Sequence, residues 1–264
     1  MKRLLLIISC LCVLIAVERL HNFQNGGFRA SKLVSSLTPH LDPAPPEIDA
    51  LLNQRFHYFG KGGTSFVFLG EDQKTVLKLF KHQHLFSKKH AHKHHTFFFG
   101  SCKLAFDHLQ KETGLIYLCL RPNPHFSRSV QLIDTWGFAH TIDLSQTEFA
   151  IQKKAEPFFP HLEHLLKTGQ TENGKRAIDA LLKQMRTRCN FCIGNRDPNL
   201  LINFGFIEGE AIEFDLGSYF PDPRLKNPLL QAKEIFFATH TLQKWLEKHS
   251  PELLNYLLEN IHTE

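Results

Sequence analysis

The chain has 264 residues, 42% hydrophobic and 22% charged, which is enough apolar sequence for one large domain or two small ones and too much for a disordered chain. The same balance is too polar for a protein that crosses a membrane many times. A formal charge of +5 with neutral histidine is too small and scattered to indicate a nucleic-acid partner, although 17 histidines make the chain more basic as the pH falls toward about 6.

Lys2 and Arg3 precede an apolar run from Leu4 to Val17. As a helix this run is about 21 Å long, short of the ~30 Å hydrocarbon core but suited to a signal peptide or a short signal-anchor. Ala16-Val17-Glu18 is a poor cleavage site, so the expectation is an uncleaved membrane anchor over residues 1–20, with a cleaved signal as the alternative. Residues 21–47 carry Pro39, Pro43, Pro45 and Pro46 and read as a linker. Six cysteines make no disulfide framework in so long a chain. Cys189 and Cys192 lack a second pair to complete a zinc site and follow a helix rather than open one, so ordinary buried thiols are expected.

Strand signals start at Phe56–Phe59, Ser65–Leu69 and Thr75–Phe80. The first joint, Gly60-Lys61-Gly62-Gly63-Thr64-Ser65-Phe66-Val67, allows close backbone approach and offers N–H groups, as a phosphate requires. Strand–turn–strand order argues against a Rossmann or P-loop fingerprint. The next strand carries Lys78 between apolar neighbours, where burial is costly unless it meets an anion; an outward-facing edge lysine is the plain alternative.

From Gln73 through Phe106 no acidic residue occurs, while His82, His84, His90, His92, His94 and His95 cluster there. Without a carboxylate or cysteine nearby, a solvated loop is expected rather than a metal site. A helix is predicted over Phe98–Lys111, then strands at Leu115–Leu120, Val130–Trp136, Ala139–Leu144 and Glu148–Lys153. Helices follow at Leu162–Leu166 and Lys175–Arg188, the latter with apolar positions 177, 178, 181, 182 and 185. Two further helices are predicted at Pro228–Lys248 and Pro251–Ile261.

The densest chemistry lies in Asn195-Arg196-Asp197-Pro198-Asn199 through Asn203, followed by Asp215-Leu216-Gly217. A strand–turn–strand over Leu200–Phe206, Gly209 and Ala211–Phe214 would bring Asp197 and Asp215 to one end of a small sheet. Two carboxylates and an asparagine there suit Mg2+ and phosphate.

Taken together these segments resemble the protein-kinase superfamily. Gly60, Gly62, Ser65 and Val67 fall on its G-x-G-x-x-G-x-V loop, with Ser for the third Gly, and Lys78 falls on the lysine of V-A-I-K. Asn195-Arg196-Asp197 stands where H-R-D stands, and Asp215-Leu216-Gly217 where D-F-G stands. The short C-terminal part looks more like small bacterial sugar, antibiotic or lipopolysaccharide kinases than a eukaryotic protein kinase. The resemblance implies an α+β bilobal fold, with a small antiparallel N-lobe sheet over 48–154, a mainly helical C-lobe over 155–264, and ATP between them. It further implies that Gly60, Gly62, Gly63, Ser65 and Val67 cover the phosphates and Lys78 grips them. Asp215 and Asn203, or Asn199, would hold Mg2+; Asp197 would take the acceptor hydroxyl's proton, and Arg196 would fix the loop. The family pairs the strand lysine with a helix Glu; here Asp107 substitutes or the pair is missing, which leaves a membrane-tethered pseudokinase as the alternative. ATP chemistry favours a cytoplasmic domain, whereas Lys2 and Arg3 favour a cytoplasmic N-terminus, so the side of the membrane stays open, as does the acceptor.

Overall fold

The computed structural model describes residues 2–35, 37–40, 45–81, 88–126 and 128–261. In chain order come α1 (Lys2–Gln24), α2 (Pro46–Leu52), β1 (Arg55–Lys61), β2 (Ser65–Gly70), β3 (Thr75–Phe80), α3 (Lys88–His108), α4 (Gln110–Thr113) and β4 (Leu115–Cys119). Next are β5 (Ser129–Ile133), β6 (Ala139–Asp143), β7 (Phe149–Lys153), β8 (Glu156–Pro157), α5 (Phe158–Lys167), α6 (Thr171–Asn190) and β9 (Ile193–Asn195). The chain closes with α7 (Leu200–Asn203), β10 (Phe204–Ile207), β11 (Glu210–Glu213), β12 (Tyr219–Pro221), α8 (Pro228–Ala238), α9 (His240–His249) and α10 (Pro251–Asn260). The chain is α+β, and it divides into two compact units: Met1–His84 with Cys119–Ile151, and Leu85–Leu118 with Gln152–Glu264.

In the first unit the sheet runs β7-β3-β2-β1-β5-β6. Phe56, Phe66, Phe68, Leu77, Leu79, Leu132 and Phe149 are buried in it, which is the apolar alternation of these strands turned into a core. The sheet departs from the antiparallel one expected, because β1 pairs parallel with β5. The long excursion between those strands supplies the crossover that a parallel pair needs. Part of the expected linker also belongs to this core, since Asn25, Phe28 and Leu33 are buried. The ring of Phe28 meets Phe66 and Phe68 edge-on at 5.2 Å.

The core of the second unit is helical. Ala177, Ile178, Leu181, Leu182 and Met185 of α6 are buried with Phe158, Leu162, Phe204, Leu242, Leu246, Leu253 and Leu257, so the periodicity in α6 is the packing face. The single helix predicted over 228–248 breaks at buried Thr239, whose hydroxyl donates to the Ile235 carbonyl at 2.8 Å and competes with helix continuation. Helix α3 starts at Lys88, ten residues before its predicted start; no Gly or Pro interrupts residues 88–97, so the helix extends into the segment expected to be a loop. His82 and His84, and the side chains of His90, His92, His94 and His95, lie outside the described residues. All six cysteines are free thiols, and burial pushes the Cys189 thiol up to about 11, away from redox reactivity.

Candidate functional site

The candidate residues fall into two groups, one in each unit. In the first unit, strand register brings Gly60, Val67 and Lys78 into one row: Gly60 pairs with Val67 across β1 and β2, and Val67 with Lys78 across β2 and β3. Directly opposed residues share a face of the sheet. The β1–β2 turn is closed by Gly62 N donating to Ser65 O at 3.0 Å. A Cβ added at Gly60 or Gly63 would meet nothing, and neither glycine has positive φ. Their own fold does not demand glycine, so the open face they leave is what a loop lying over a ligand requires.

Lys81 joins this group unannounced by the sequence. Its Nζ donates to Gly62 O at 2.6 Å and lies 4.4 Å from the Phe66 ring centroid. Burial, then the nearby charges of Lys61 and Lys32, push its amine down to about 8. Like charges nearby disfavour the ammonium form of Lys81, and an anion bound beside it would favour that form. The available signal was the position of Lys81, one residue beyond β3.

In the second unit, β10 and β11 form a hairpin through Glu208 and Gly209, both at positive φ, as a two-residue turn that matches strand twist requires. The strand expected from 200 begins only at Phe204, because Asn199 caps the short helix α7 by accepting from Leu201 N at 3.1 Å. The hairpin ends abut: Phe214 N donates to Asn203 O at 2.8 Å. The Asn203 amide donates to Asp197 O at 2.9 Å. Asp197, Asn203 and Asp215 are thereby gathered at one end of the hairpin. Asn199 is committed to its cap, which favours Asn203 as the asparagine of the set.

Asp215 is half-buried and accepts from Gly217 N at 3.1 Å. The Ser101 hydroxyl of α3 donates to Leu216 O at 2.5 Å and accepts from Tyr219 N at 2.6 Å, clipping this loop to α3. Asp197 is exposed, with its N–H donated to the Asn195 side chain at 2.8 Å. Arg196 lies 4.2 Å from the Phe97 ring centroid and 5.3 Å from that of Phe220, a cation–π seat that holds the loop. Asp107 is engaged on its own helix, where Lys103 pairs with it at 2.8 Å.

Beneath this end lies a charged cluster that sequence reading missed. Arg188, fully buried at the end of α6, donates to Ile193 O at 2.9 Å and to Glu234 at 3.3 Å, and lies 3.8 Å from Glu213. Glu213 in turn accepts from the Asn195 amide, so a chain of contacts runs from Glu234 to the backbone of Asp197. Burial drives the Glu213 carboxyl up to about 8 against the opposing pull of Arg188. Tyr219 and the Gln184 amide are buried beside Glu213. The signal was present: Arg188 sits at helical spacing from Leu181 and Met185, where an apolar residue belongs.

Among the described residues, no three His, Cys, Asp or Glu side chains converge as a metal centre. One carboxylate and one amide oxygen, from Asp215 and Asn203, fit the sparse protein set that Mg2+ takes when water and phosphate complete its shell. A cavity of about 740 Å³ elsewhere in the second unit is lined by Lys153, Lys183, Gln184 and Ile212 among others and does not include Asp197, Asn203 or Asp215.

No protein-family model matches the chain, and no curated protein matches it. Solved structures do. A medium-resolution structure of the bifunctional kinase-methyltransferase WbdD is 16% identical, with a TM-score of 0.37 over 75% of this chain and 42% of that one. WbdD co-crystallised with the kinase inhibitor LY294002 is 15% identical, with a TM-score of 0.36 over 76% of this chain and 43% of that one. The chain thus spans less than half the length of these structures, and likeness at this level carries no argument about activity.

Proposed function

We propose that the chain is a kinase-like phosphotransferase that uses ATP and Mg2+ and is tethered to a membrane by α1. The observation that carries the reading is the bonding of Asn203 to the Asp197 carbonyl beside the Phe214–Asn203 contact, which gathers an exposed carboxylate and a metal-suited pair. In this reading Asp215 and Asn203 hold Mg2+, while the Gly60–Ser65 loop, Lys78 and Lys81 take the phosphate oxygens. Asp197 accepts the proton of the acceptor hydroxyl, and Arg196, seated on two rings, keeps that carboxylate in place.

The test uses the full-length protein. Mg2+ and ATP together should raise its melting temperature more than ATP alone, and Asp215→Ala should abolish the metal-dependent part. Asp197→Asn should keep the shift yet lower ADP formation by about 10²–10⁴-fold. Absence of any Mg2+-dependent shift in the wild type overturns the reading. One observation favours the pseudokinase alternative: the single acid of α3, Asp107, is paired with Lys103. A nucleotide-dependent shift that survives Asp215→Ala and needs no Mg2+ would decide for it.

A further inference from the structure

The last turn of α1 is built into the first unit. Asp134, whose side chain is fully buried, bonds His21 Nε2 at 2.9 Å and His140 Nε2 at 3.0 Å. Asn25 Oδ1 accepts from Thr135 N at 2.9 Å and from its hydroxyl at 2.8 Å, and Trp136 Nε1 donates to Gln24. The turn that joins β5 to β6 is therefore locked to the helix end. On that turn Trp136 is 39% and Phe138 58% exposed, and Phe23 on the helix is 82% exposed. The His21 ring lies 4.7 Å from that of Trp136 and 6.0 Å from that of Phe138.

We propose that this hairpin tip, Trp136 with Phe138, is a membrane-docking element that sits among the lipid headgroups beside the exit of α1. The proposal rests on the reading of α1 as an anchor; Leu6–Gln24 is long and apolar enough to span a bilayer and is 0% buried. His21 and Gln24 lie four and seven residues past Val17, or about 6–10 Å along the helix axis. The headgroup layer is about 5–8 Å deep on each side. If the helix sinks further, to bring about 20 residues into the ~30 Å core, Phe23 enters and the tip meets the hydrocarbon boundary. At the first depth His21, whose ring lies beside those of Trp136 and Phe138, is about 6 Å past the core, within the zone where amphipathic rings partition best. Glu18, the acid nearest this boundary, is paired with Arg29 at 3.1 Å, which lowers the cost of holding it there. The uninterrupted apolar run Leu4–Val17 ends before the helix does, and the rings add interfacial attachment beyond that end.

The chain has two tryptophans, so full-length Trp245→Phe carries Trp136 as its single reporter. The variant is reconstituted in phosphatidylcholine vesicles, washed with alkaline carbonate, and compared between plain lipid and lipid brominated near the headgroup end of its acyl chains. We expect retention in the pellet and at least about two-fold loss of Trp136 emission with bromine, with little quenching by aqueous iodide. Retention with emission indifferent to bromine overturns the docking element and leaves the anchor standing, whether iodide reaches the ring or a protein partner covers it. Release by carbonate overturns the anchor and the docking element together. Should Trp245→Phe fold poorly, Trp245→Tyr serves as the same reporter background.

Discussion

The two groups of candidate residues are held in place by different physics. In the first unit Gly60, Val67 and Lys78 are aligned in one row by strand register. In the second unit the backbone of Asp197 rests on a run of contacts from half-buried Glu234 through buried Arg188 and Glu213 to Asn195. A buried charge is costly unless paired, and removing one partner exposes the full penalty. The lesson is that substitutions in the first group should change ligand binding and spare the fold, whereas the supports of the second group cannot be touched without cost to the fold.

The largest effect expected is therefore Arg188→Met. It strips Glu213 and Glu234 of their cation and should cost about 3 kcal/mol or more in chemical denaturation. Glu213→Gln should cost less, about 1 kcal/mol, because burial already works against the charged carboxylate and an amide can still accept from Asn195. Lys78→Met should stay within about 1 kcal/mol of wild type while nucleotide binding falls. Equal losses for Arg188→Met and Lys78→Met would break the contrast.

Asn203→Ala and Asn199→Ala sharpen it next. Asn199→Ala loses a helix cap, about 1 kcal/mol, and should leave Mg2+-dependent binding intact. Asn203→Ala should abolish that dependence, as titration calorimetry with and without Mg2+ would read. The reverse result would exchange their roles.

Lys81 gives a pH signature. Its folded pKa, about 8, lies below the ordinary 10.5, so between those values the unfolded chain binds the extra proton and stability rises with pH. Lys81→Met should remove that rise in denaturation curves between about pH 8 and 10.5. Phosphate oxygens near the amine would pull its pKa back up, so binding of Mg2+ and ATP near pH 8.5 should take up protons, detectable as a buffer-dependent heat. The smallest effect is Gly60→Ala: with open space at its Cβ, melting should shift little, with weaker nucleotide binding as its readout.

Periodicity and turn chemistry are local, and what they govern was legible in the sequence: the β2–β3 hairpin at Gly70–Thr75, the packing face of α6 and the apolar N-terminal helix. The choice between Asn199 and Asn203 was not, because it depends on which side chain the helix cap consumes. Nor was the parallel pairing of β5 with β1, since strands far apart in sequence carry no register signal. The cluster of Arg188, Glu213, Glu234 and Tyr219 was the deepest omission. Each residue alone reads as surface or strand, and only packing that buries Arg188, Glu213 and Tyr219 beside half-buried Glu234 makes the cluster a support for the loop above. The seat of Trp136 on Gln24 belongs to the same class: a turn residue and a helix end more than a hundred positions apart, brought together where Asp134 bonds His21 of the helix and His140 of β6.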